Sequence, residues 1–517
     1  MGAARLKKKK PATRLAGKSR EVELKLELDS DGMSLLLGHP VFAQARPLAE
    51  RGGSLHAVYY DTDEFALRRA GLSVRVRRQN GHYTQTIKAE RKHRSLALDR
   101  SEWECAVDGE LDVAAAADTP LAPFVSGTSA SEKVHPVFTV DTDRKAYEVE
   151  RNGTTMELAL DRVKVVAGHR SVRFCEVELE LKKGDASALF AVARDLSEAA
   201  PLRLTPVTKS ERGYALLDGI AAKPVSADEI DLPPKTSCAE SFQIIARSCL
   251  SQVVRNEALL RRHQDPEILH QMRVGLRRLN AANSLFKSML SSRESRAVKA
   301  DLRWAGKQLG AVRDLDVFLG ELRKSTLSAP NDVWLEEAER RRSEAYEVLL
   351  KTLEKPRFTA AILHTAAWIE SGKWLTRKKC AIRVARRLTV EELAGLELSR
   401  HWKRIRKSAK RIAELDFDER HRLRMRIKKL RYGAEFFASS FADGPAKKRR
   451  RSLLAILRRL QDLLGDMNDI VVGEALVLTR GQQKPARAER RLKKLHSDAE
   501  AACGKLLEAE PFWLSRE

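Results

Sequence analysis

Glu21, Glu23 and Lys25 alternate with Val22 and Leu24. On an extended strand successive side chains point to opposite faces, so the charged residues share one face and the apolar pair the other. The same test on later segments pairs Arg75 with Arg77, Thr86 with Lys88, and Glu102 with Glu104. It also groups Glu157, Ala159 and Asp161, and then Glu176, Glu178 and Glu180, with Val74, Val76, Trp103, Val177 and Leu179 on opposite faces. Rows of both signs support two chemistries. Lys25, Arg75, Arg77 and Lys88 can grip several phosphate groups through charge-assisted hydrogen bonds. Glu21, Glu23, Glu102, Glu104, Asp161, Glu176 and Glu178 offer the carboxylate oxygens that Mg²⁺ or Mn²⁺ prefers. Buried charge needs a partner, and a short polyphosphate with a divalent metal satisfies both sets, the metal orienting a water for in-line attack on phosphorus. An ordinary sheet, with its apolar face on a core and these rows in water, is the alternative. The two readings differ in whether the sheet closes with the charges inside.

The elements that must carry these residues are short strands near 20–28, 54–61, 72–79, 82–89, 100–107, 136–150, 154–166 and 171–182. Gly52-Gly53, Asn80-Gly81, Asn152-Gly153 and Gly168 separate several of them, the Asn-Gly pairs being tight hairpin signals. A helix over 185–198 opens at Asp185. Antiparallel strands in this number with little helix predict a barrel or closed sheet. Residues 1–20 read as a basic tail and 221–236, with Pro224, Pro233 and Pro234, as an interdomain linker. From 237 onward the texture is helical, with caps at Asp265-Pro266-Glu267 and at Thr389 with Glu392.

The helical half repeats itself. His270-Gln271-Met272-Arg273-Val274-Gly275-Leu276-Arg277-Arg278-Leu279 returns as His421-Arg422-Leu423-Arg424-Met425-Arg426-Ile427-Lys428-Lys429-Leu430. Leu309-Gly310-Ala311-Val312-Arg313-Asp314-Leu315 returns as Leu464-Gly465-Asp466-Met467-Asn468-Asp469-Ile470, which predicts a duplicated helical bundle. Helical spacing puts His270, Arg273, Arg277 and Asn280 on one face and Met272, Leu276 and Leu279 on another. The second copy gives His421, Arg424, Lys428 and Arg431 against Leu423, Ile427 and Leu430, with Arg278 and Lys429 flanking the basic faces.

The net charge of +25 is unevenly placed: residues 1–20 carry +8, 21–236 carry −6 and 237–517 carry +23. The last stretch is a candidate polyanion binder. Few aromatics accompany its basic stripes and no recognition-helix, zinc-finger or RNP-type pattern stands out, so a phosphate polymer fits better than a specific nucleic acid. No apolar run reaches the roughly 18 residues of a membrane span. The basic run Lys7–Lys10 has no apolar segment behind it, and the six scattered cysteines form no C-x-x-C pair. These features predict a cytoplasmic protein with reduced thiols and no membrane association.

Glu21-x-Glu23-x-Lys25 at the start of a β-rich region resembles the signature of the CYTH superfamily, the triphosphate tunnel metalloenzymes. Leu72-x-x-Arg75-x-Arg77, Thr86-x-Lys88, Arg100-x-Glu102-x-Glu104, Leu160-Asp161, Glu176-x-Glu178-x-Glu180, Pro201-x-Arg203 and Lys209-Ser210-Glu211-Arg212-Gly213-Tyr214 follow in order, so the resemblance covers about 20–217. It implies a tunnel for a linear triphosphate. Lys25, Arg75, Arg77, Lys88, Arg144, Lys209 and Arg212 are then phosphate contacts, and Glu21, Glu23 and Glu178 lead the metal ligands, with Glu102, Glu104, Asp161 and Glu176 beside them. Glu21, Glu23 and Lys25 would carry the catalysis. Glu180, near a strand end, is left outside the set.

The stretch 237–517 is similar to the CHAD, or conserved histidine α-helical, family, which implies paired four-helix bundles, here about 237–380 and 388–517, that bind inorganic polyphosphate. His270, Arg273, Arg277, Arg278, His421, Arg424, Lys428, Lys429 and Arg431 are the implied contacts; Asn280 departs from the basic residue at Arg431. The expected architecture is therefore multidomain. An antiparallel β tunnel with flanking helices (α+β) covers 21–220, and all-α duplicated four-helix bundles follow from 237. The expected activity is metal-dependent hydrolysis of inorganic tripolyphosphate to pyrophosphate and phosphate, beside long-chain polyphosphate binding. The rivals are a non-catalytic, polyphosphate granule-associated protein, an adenylate cyclase and a thiamine triphosphatase.

Overall fold

The computed structural model describes residues 16–90, 98–125, 134–219, 223–325, 332–478 and 486–514. The tail read over 1–20 lies outside them as far as residue 15, as do the side chains of 16–20.

The strands are β1 (Ala16–Leu28), β2 (Arg46–Pro47), β3 (Gly53–Asp61), β4 (Leu72–Gln79), β5 (His82–Glu90), β6 (Leu98–Val107), β7 (His135–Arg151), β8 (Thr154–Ala167), β9 (Arg170–Lys183) and β10 (Arg203–Leu204). The long ones pair in the order β1-β6-β5-β4-β3-β7-β8-β9, and β9 pairs back onto β1, so the sheet is closed. Closure leaves no free edge among the long strands. The two Asn-Gly hairpins form as expected, with φ of 48° and 81° at Asn80-Gly81 and 50° and 73° at Asn152-Gly153. Left-handed backbone at both central positions matches the twist of the strands they join.

The pleat then decides which face goes inside. Leu24, Leu26 and Leu28 on β1, and Val177 and Leu179 on β9, are at most 2% exposed. The helices Ser30–Leu37 and Ser187–Ala199 pack over this outer face, the second burying Leu189, Phe190, Val192, Ala193 and Leu196. That helix starts at Ser187, with Asp185 Oδ1 accepting from the Ser187 N–H at 2.7 Å. With the apolar face occupied from outside, the charged face of β1 has only the lumen to face.

The chain divides into two compact units. One comprises Met1–Ser226, Leu250–Gly275 and Ala297–Gly372; the other comprises Ala227–Cys249, Leu276–Arg296 and Lys373–Glu517. The segment read as a linker is anchored within each. In the first unit Asn256 binds the Val225 backbone at both ends, at 3.0 and 2.8 Å. In the second, Leu232 is buried and its N–H donates to Ser439 Oγ at 2.7 Å.

In the second unit the helices Val390–Ala409, Phe417–Phe436, Gly444–Leu478 and Ala486–Glu508 pack each on the next, and the first on the last. This is the four-helix arrangement that the family resemblance implied for the second copy. Capping boxes open two of them, Thr389 with Glu392 and Asp416 with Glu419. The apolar stripe Leu423, Ile427 and Leu430 is fully buried, as are Met272, Leu276 and Leu279 in the first copy.

The repeated glycines acquire a reason here. A Cβ at Gly310 would sit 3.0 Å from Arg273 Nη1, and one at Gly465 would sit 2.8 Å from Arg424 Nη2. Glycine inside a helix costs about 1 kcal/mol against alanine, and in both copies the missing side chain lets an arginine of the His-x-x-Arg run pass over the backbone. The side chains of Asn468, Asp469 and Ile470, in the second copy of that segment, lie outside the described residues.

His401 is buried in the same bundle and neither ring nitrogen has a hydrogen-bond partner. Burial, with Lys429, Arg400, Arg404 and Arg426 nearby, pulls it down to about 4 from its usual 6.5. A histidine held neutral in the fold binds its proton first in the unfolded chain. Stability must therefore fall as pH drops from 6.5 towards 4, and level off below, by at most about 3 kcal/mol. Between pH 6.5 and 4 the urea midpoint of wild type should fall further than that of His401→Leu. Parallel curves would show that His401 is not the titrating group.

Candidate active site

The closed sheet surrounds a cavity of about 380 Å³. Glu21, Glu23 and Lys25 from β1 line it with Arg75 and Arg77 from β4, Lys88 from β5, Glu102 and Glu104 from β6, Arg144 from β7, Glu178 from β9 and Lys209. The register explains the gathering. β1 lies between β6 and β9, with Glu21 opposite Arg100 and Lys25 opposite Glu178. The alternating charged rows are thus one continuous inner surface, and the charged faces do not meet water as an open sheet's would.

The carboxylates fall into two groups, each with its own cations. Lys88 Nζ is 2.8 Å from Glu21 and 3.1 Å from Glu102. Arg100 Nη2 donates to Glu21 at 3.2 Å and to Glu23 at 3.0 Å. Thr86 Oγ1 donates to Glu104 at 2.9 Å. Deeper in, Asp161, Glu176 and Glu178 bring one oxygen each within 4.8 Å of the others. Arg144 grips Asp161 through two nitrogens at 2.7 and 2.6 Å and also reaches Glu178. Lys209 Nζ is 2.8 Å from Asp161, 2.7 Å from Glu178, and in ion contact with Glu176. Lys25 links the groups, 2.7 Å from Glu23 and bonded to Glu178.

Titration follows this pairing. Burial opposes ionisation of Glu21, but Lys88 and Arg100 outweigh it and hold the carboxyl well below its usual range. Burial likewise opposes Asp161 and Glu178, and Lys209 and Arg144, with Lys25 at Glu178, again win. At Glu23 and Glu176 the balance reverses. Burial and the neighbouring acids raise both, against Lys25 with Arg100 at Glu23 and Lys209 with Lys25 at Glu176.

Arg75 and Arg77 differ from the paired lumen cations Lys25, Lys88, Arg100, Arg144 and Lys209. Among the described residues no carboxylate pairs with either. Arg75 Nη1 lies 3.5 Å from the Tyr59 hydroxyl. Burial, with Arg75 and Arg144 close by, pulls Arg77 down to about 10. Both guanidinium groups thus border the cavity with hydrogen-bonding capacity to spare.

The helix Lys209–Asp218 delivers Lys209. Thr208 and Glu211 form its capping box. Tyr214 Oη donates to the fully buried Asp61 at 2.6 Å, which also accepts the backbone N–H groups of Leu67 and Arg68 at 2.9 and 3.0 Å. Gly213 lies flat on Phe138, where a Cβ would fall 2.3 Å from the ring.

Two expected contacts sit elsewhere. Arg212 does not line the cavity: it pairs with Glu27 and its guanidinium stacks 4.1 Å from the Phe174 ring centre, so its charge is already engaged. Arg278 is 4% exposed and packs over Phe436 at 5.3 Å, buried among helices and not on an open basic face. Of the other helical residues, His270, Arg273, Arg277, Arg424, Lys428, Lys429 and Arg431 are half-buried and His421 is exposed. Arg431 bonds Glu435 and Gln461 at 2.7 and 3.1 Å.

The cavity has further lining residues outside the expected set, of which alternation already groups Glu180 with Glu176 and Glu178. Arg51 comes from the turn Ala49–Arg51, and Glu180 and Lys182 line the β9 end, 2.7 Å apart. Arg100 stood in view two residues before Glu102, and its place in the same alternating row was the available signal.

A closed antiparallel tunnel lined with both charge signs defines the first unit's site. Residues 19–214 match the CYTH domain and residues 244–478 the CHAD domain; the chain carries a CYTH domain followed by a CHAD domain. An inorganic triphosphatase of Haemophilus influenzae is 27% identical over 198 residues, which are 38% of this chain. The chain spans about half, 55%, of that relative's length. Among solved structures, the CHAD domain of the plant Ricinus communis is 28% identical with a TM-score of 0.44, covering 55% of this chain and 96% of that one. A Hippeastrum protein described as having a dominant triphosphatase activity is 15% identical with a TM-score of 0.30, covering 38% of this chain and 95% of that one.

The contact at Gly213 yields a test. Gly213→Ala improves intrinsic helix propensity by about 1 kcal/mol, yet it drives a methyl group into Phe138, an overpacking that costs about 1–3 kcal/mol. The variant should show a lower urea midpoint than wild type. A higher midpoint would mean that the helix does not need this close approach.

Proposed function

We propose that the tunnel is a metal-dependent triphosphatase site that hydrolyses inorganic tripolyphosphate to pyrophosphate and phosphate, and that the helical repeats bind long-chain polyphosphate. The observation carrying the first part is the pair Arg75 and Arg77, half-buried with no carboxylate in ion contact among the described residues, inside the same cavity as a dense set of carboxylates. A polyanion gives the guanidinium groups their missing partners.

The roles follow from position. Arg75 and Arg77 hold phosphate oxygens as planar forks, and Lys25, Lys88 and Arg144 stand around them. The three-oxygen cluster of Asp161, Glu176 and Glu178 fits a hard divalent ion, with Glu21 and Glu23 on β1, the strand paired with β9. When bound, Mg²⁺ or Mn²⁺ supplies charge neutralisation and a polarised water. The chain's own part is to align the phosphates, to exclude bulk water and to place cations against the charge that grows on the leaving phosphate. Water oxygen bonds to the terminal phosphorus as the bridging P–O bond breaks, and the water's proton leaves through a lumen carboxylate.

Tyr59 is the single aromatic among the described lining residues, which leaves a purine or thiamine ring little to stack on. This favours an inorganic substrate over ATP or thiamine triphosphate. Glu21→Gln and Lys25→Ala should each cut phosphate release from tripolyphosphate by about 10²-fold or more, with circular dichroism confirming the fold. Full activity in both would sink the assignment, and cyclic AMP formed from ATP would replace it with a cyclase.

For the helical repeats, polyphosphate binding by the full chain should weaken steeply with salt, as counter-ion release requires. Changing His270, Arg273, Arg277, His421, Arg424 and Lys428 together to Ala should remove most of it. Equal affinity in that variant would place the polymer elsewhere.

A further inference from the structure

We propose that Lys209 is an exchangeable counter-ion. In the metal-free protein its ammonium fills the place among Asp161, Glu176 and Glu178 that a divalent cation takes, and metal binding releases it into the lumen as a phosphate contact. The inference rests on the tunnel reading above.

Three cations touch this carboxylate cluster, and they are not alike. Arg144 is a two-point fixture on Asp161, its planar fork matched to one carboxylate. Lys25 bonds Glu178 but lies 3.8 Å from Glu176 and is shared with Glu23. Lys209 alone of the three is in close contact with all three acids, at 2.8 Å from Asp161, 2.7 Å from Glu178, and against Glu176. A compact ammonium at the centre of a three-carboxylate cluster occupies the position of a small hard cation.

The ammonium satisfies that cluster incompletely. Glu176 is fully inaccessible, and despite the ion contact neither oxygen accepts a hydrogen bond of sound geometry. Coordination to a divalent ion has no such angular demand from a donor hydrogen. Lys209 also borders the open cavity, so rotation of its four-carbon stem suffices to move the charge from acids to lumen. The backbone need not follow, because the capping box, Gly213 on Phe138 and Tyr214 on Asp61 pin the helix.

The test uses the full chain and Mn²⁺ alone, without phosphate. Free Mn²⁺ is followed by electron paramagnetic resonance during titration of wild type, Lys209→Met and Lys209→Arg. Removing the competing charge should tighten Mn²⁺ binding by about tenfold in Lys209→Met, within the usual range of coupling between two ligands. Mn²⁺ should also raise the melting temperature of that variant more than that of wild type. Lys209→Arg, still charged, should bind no more tightly than wild type. Equal or weaker binding by Lys209→Met would overturn the exchange. On unaltered protein, reductive methylation with mass spectrometry should find Lys209 protected without metal and several-fold more reactive with Mn²⁺; unchanged reactivity would also overturn it. Hydrolysis of tripolyphosphate by wild type with unchanged Mn²⁺ affinity in Lys209→Met would refute the exchange alone. Tighter Mn²⁺ binding in a protein that never hydrolyses tripolyphosphate would support the exchange and refute only the hydrolytic reading.

Discussion

Charge taken out of water has to be matched where it lies. Nine basic and seven acidic side chains line one cavity of this protein. Leaving a fully buried one unmatched costs several kcal/mol. The pairing inside the tunnel is therefore a condition for the strands to close at all. Glu21 and Glu23 are tolerable because Lys88 and Arg100 come from β5 and β6. Asp161 and Glu178 are tolerable because Arg144 and Lys209 come from β7 and from a helix after the barrel. Cations from distant parts of the chain act as ties between strands that share no turn.

Matching of this kind does not by itself add stability over an apolar interior of the same shape. The folding energy comes from the other face of the strands, where Leu24, Leu26, Val177 and Leu179 are fully buried under helices. Burial of a leucine or valine side chain contributes about 1.5–3 kcal/mol. The division of labour is spatial. The outer apolar shell supports an inner surface selected for chemistry, and the period-two pleat keeps the two from mixing. Arg75 and Arg77 have no carboxylate in ion contact among the described residues; Glu102 and Glu104 act on Arg75, and Glu104 on Arg77, from farther off.

This division also explains what could be read from the residues. Alternation and the Asn-Gly turns are local, so the strands, their hairpins and the charged rows were legible from Glu21 to Glu178. Which way the rows face depends on closure between β1 and β9, nearly the whole barrel apart in sequence, and periodicity carries no information about that. Arg100 and Glu180 stand in the same rows as residues that were chosen, yet their roles depend on cross-strand register. Arg51 comes from a turn, where no period applies. Arg212 and Arg278 carry the right charge in the right run, but Glu27 with Phe174 and Phe436 claim them first. A side chain's competition for partners is settled only in three dimensions.

The helical repeats show the converse case, where duplication in sequence reports a contact directly. Gly310 and Gly465 look like weak points in otherwise good helices. Each proves to be the seat of an arginine, Arg273 in one copy and Arg424 in the other. A helix that only needed to be stable would carry alanine at both places. Glycine recurs opposite the same member of the His-x-x-Arg run in both copies, and each guanidinium passes close over the helix backbone there. A solvated surface arginine needs no such seat. The paired glycines therefore give Arg273 and Arg424 the same close approach to a helix backbone in both copies.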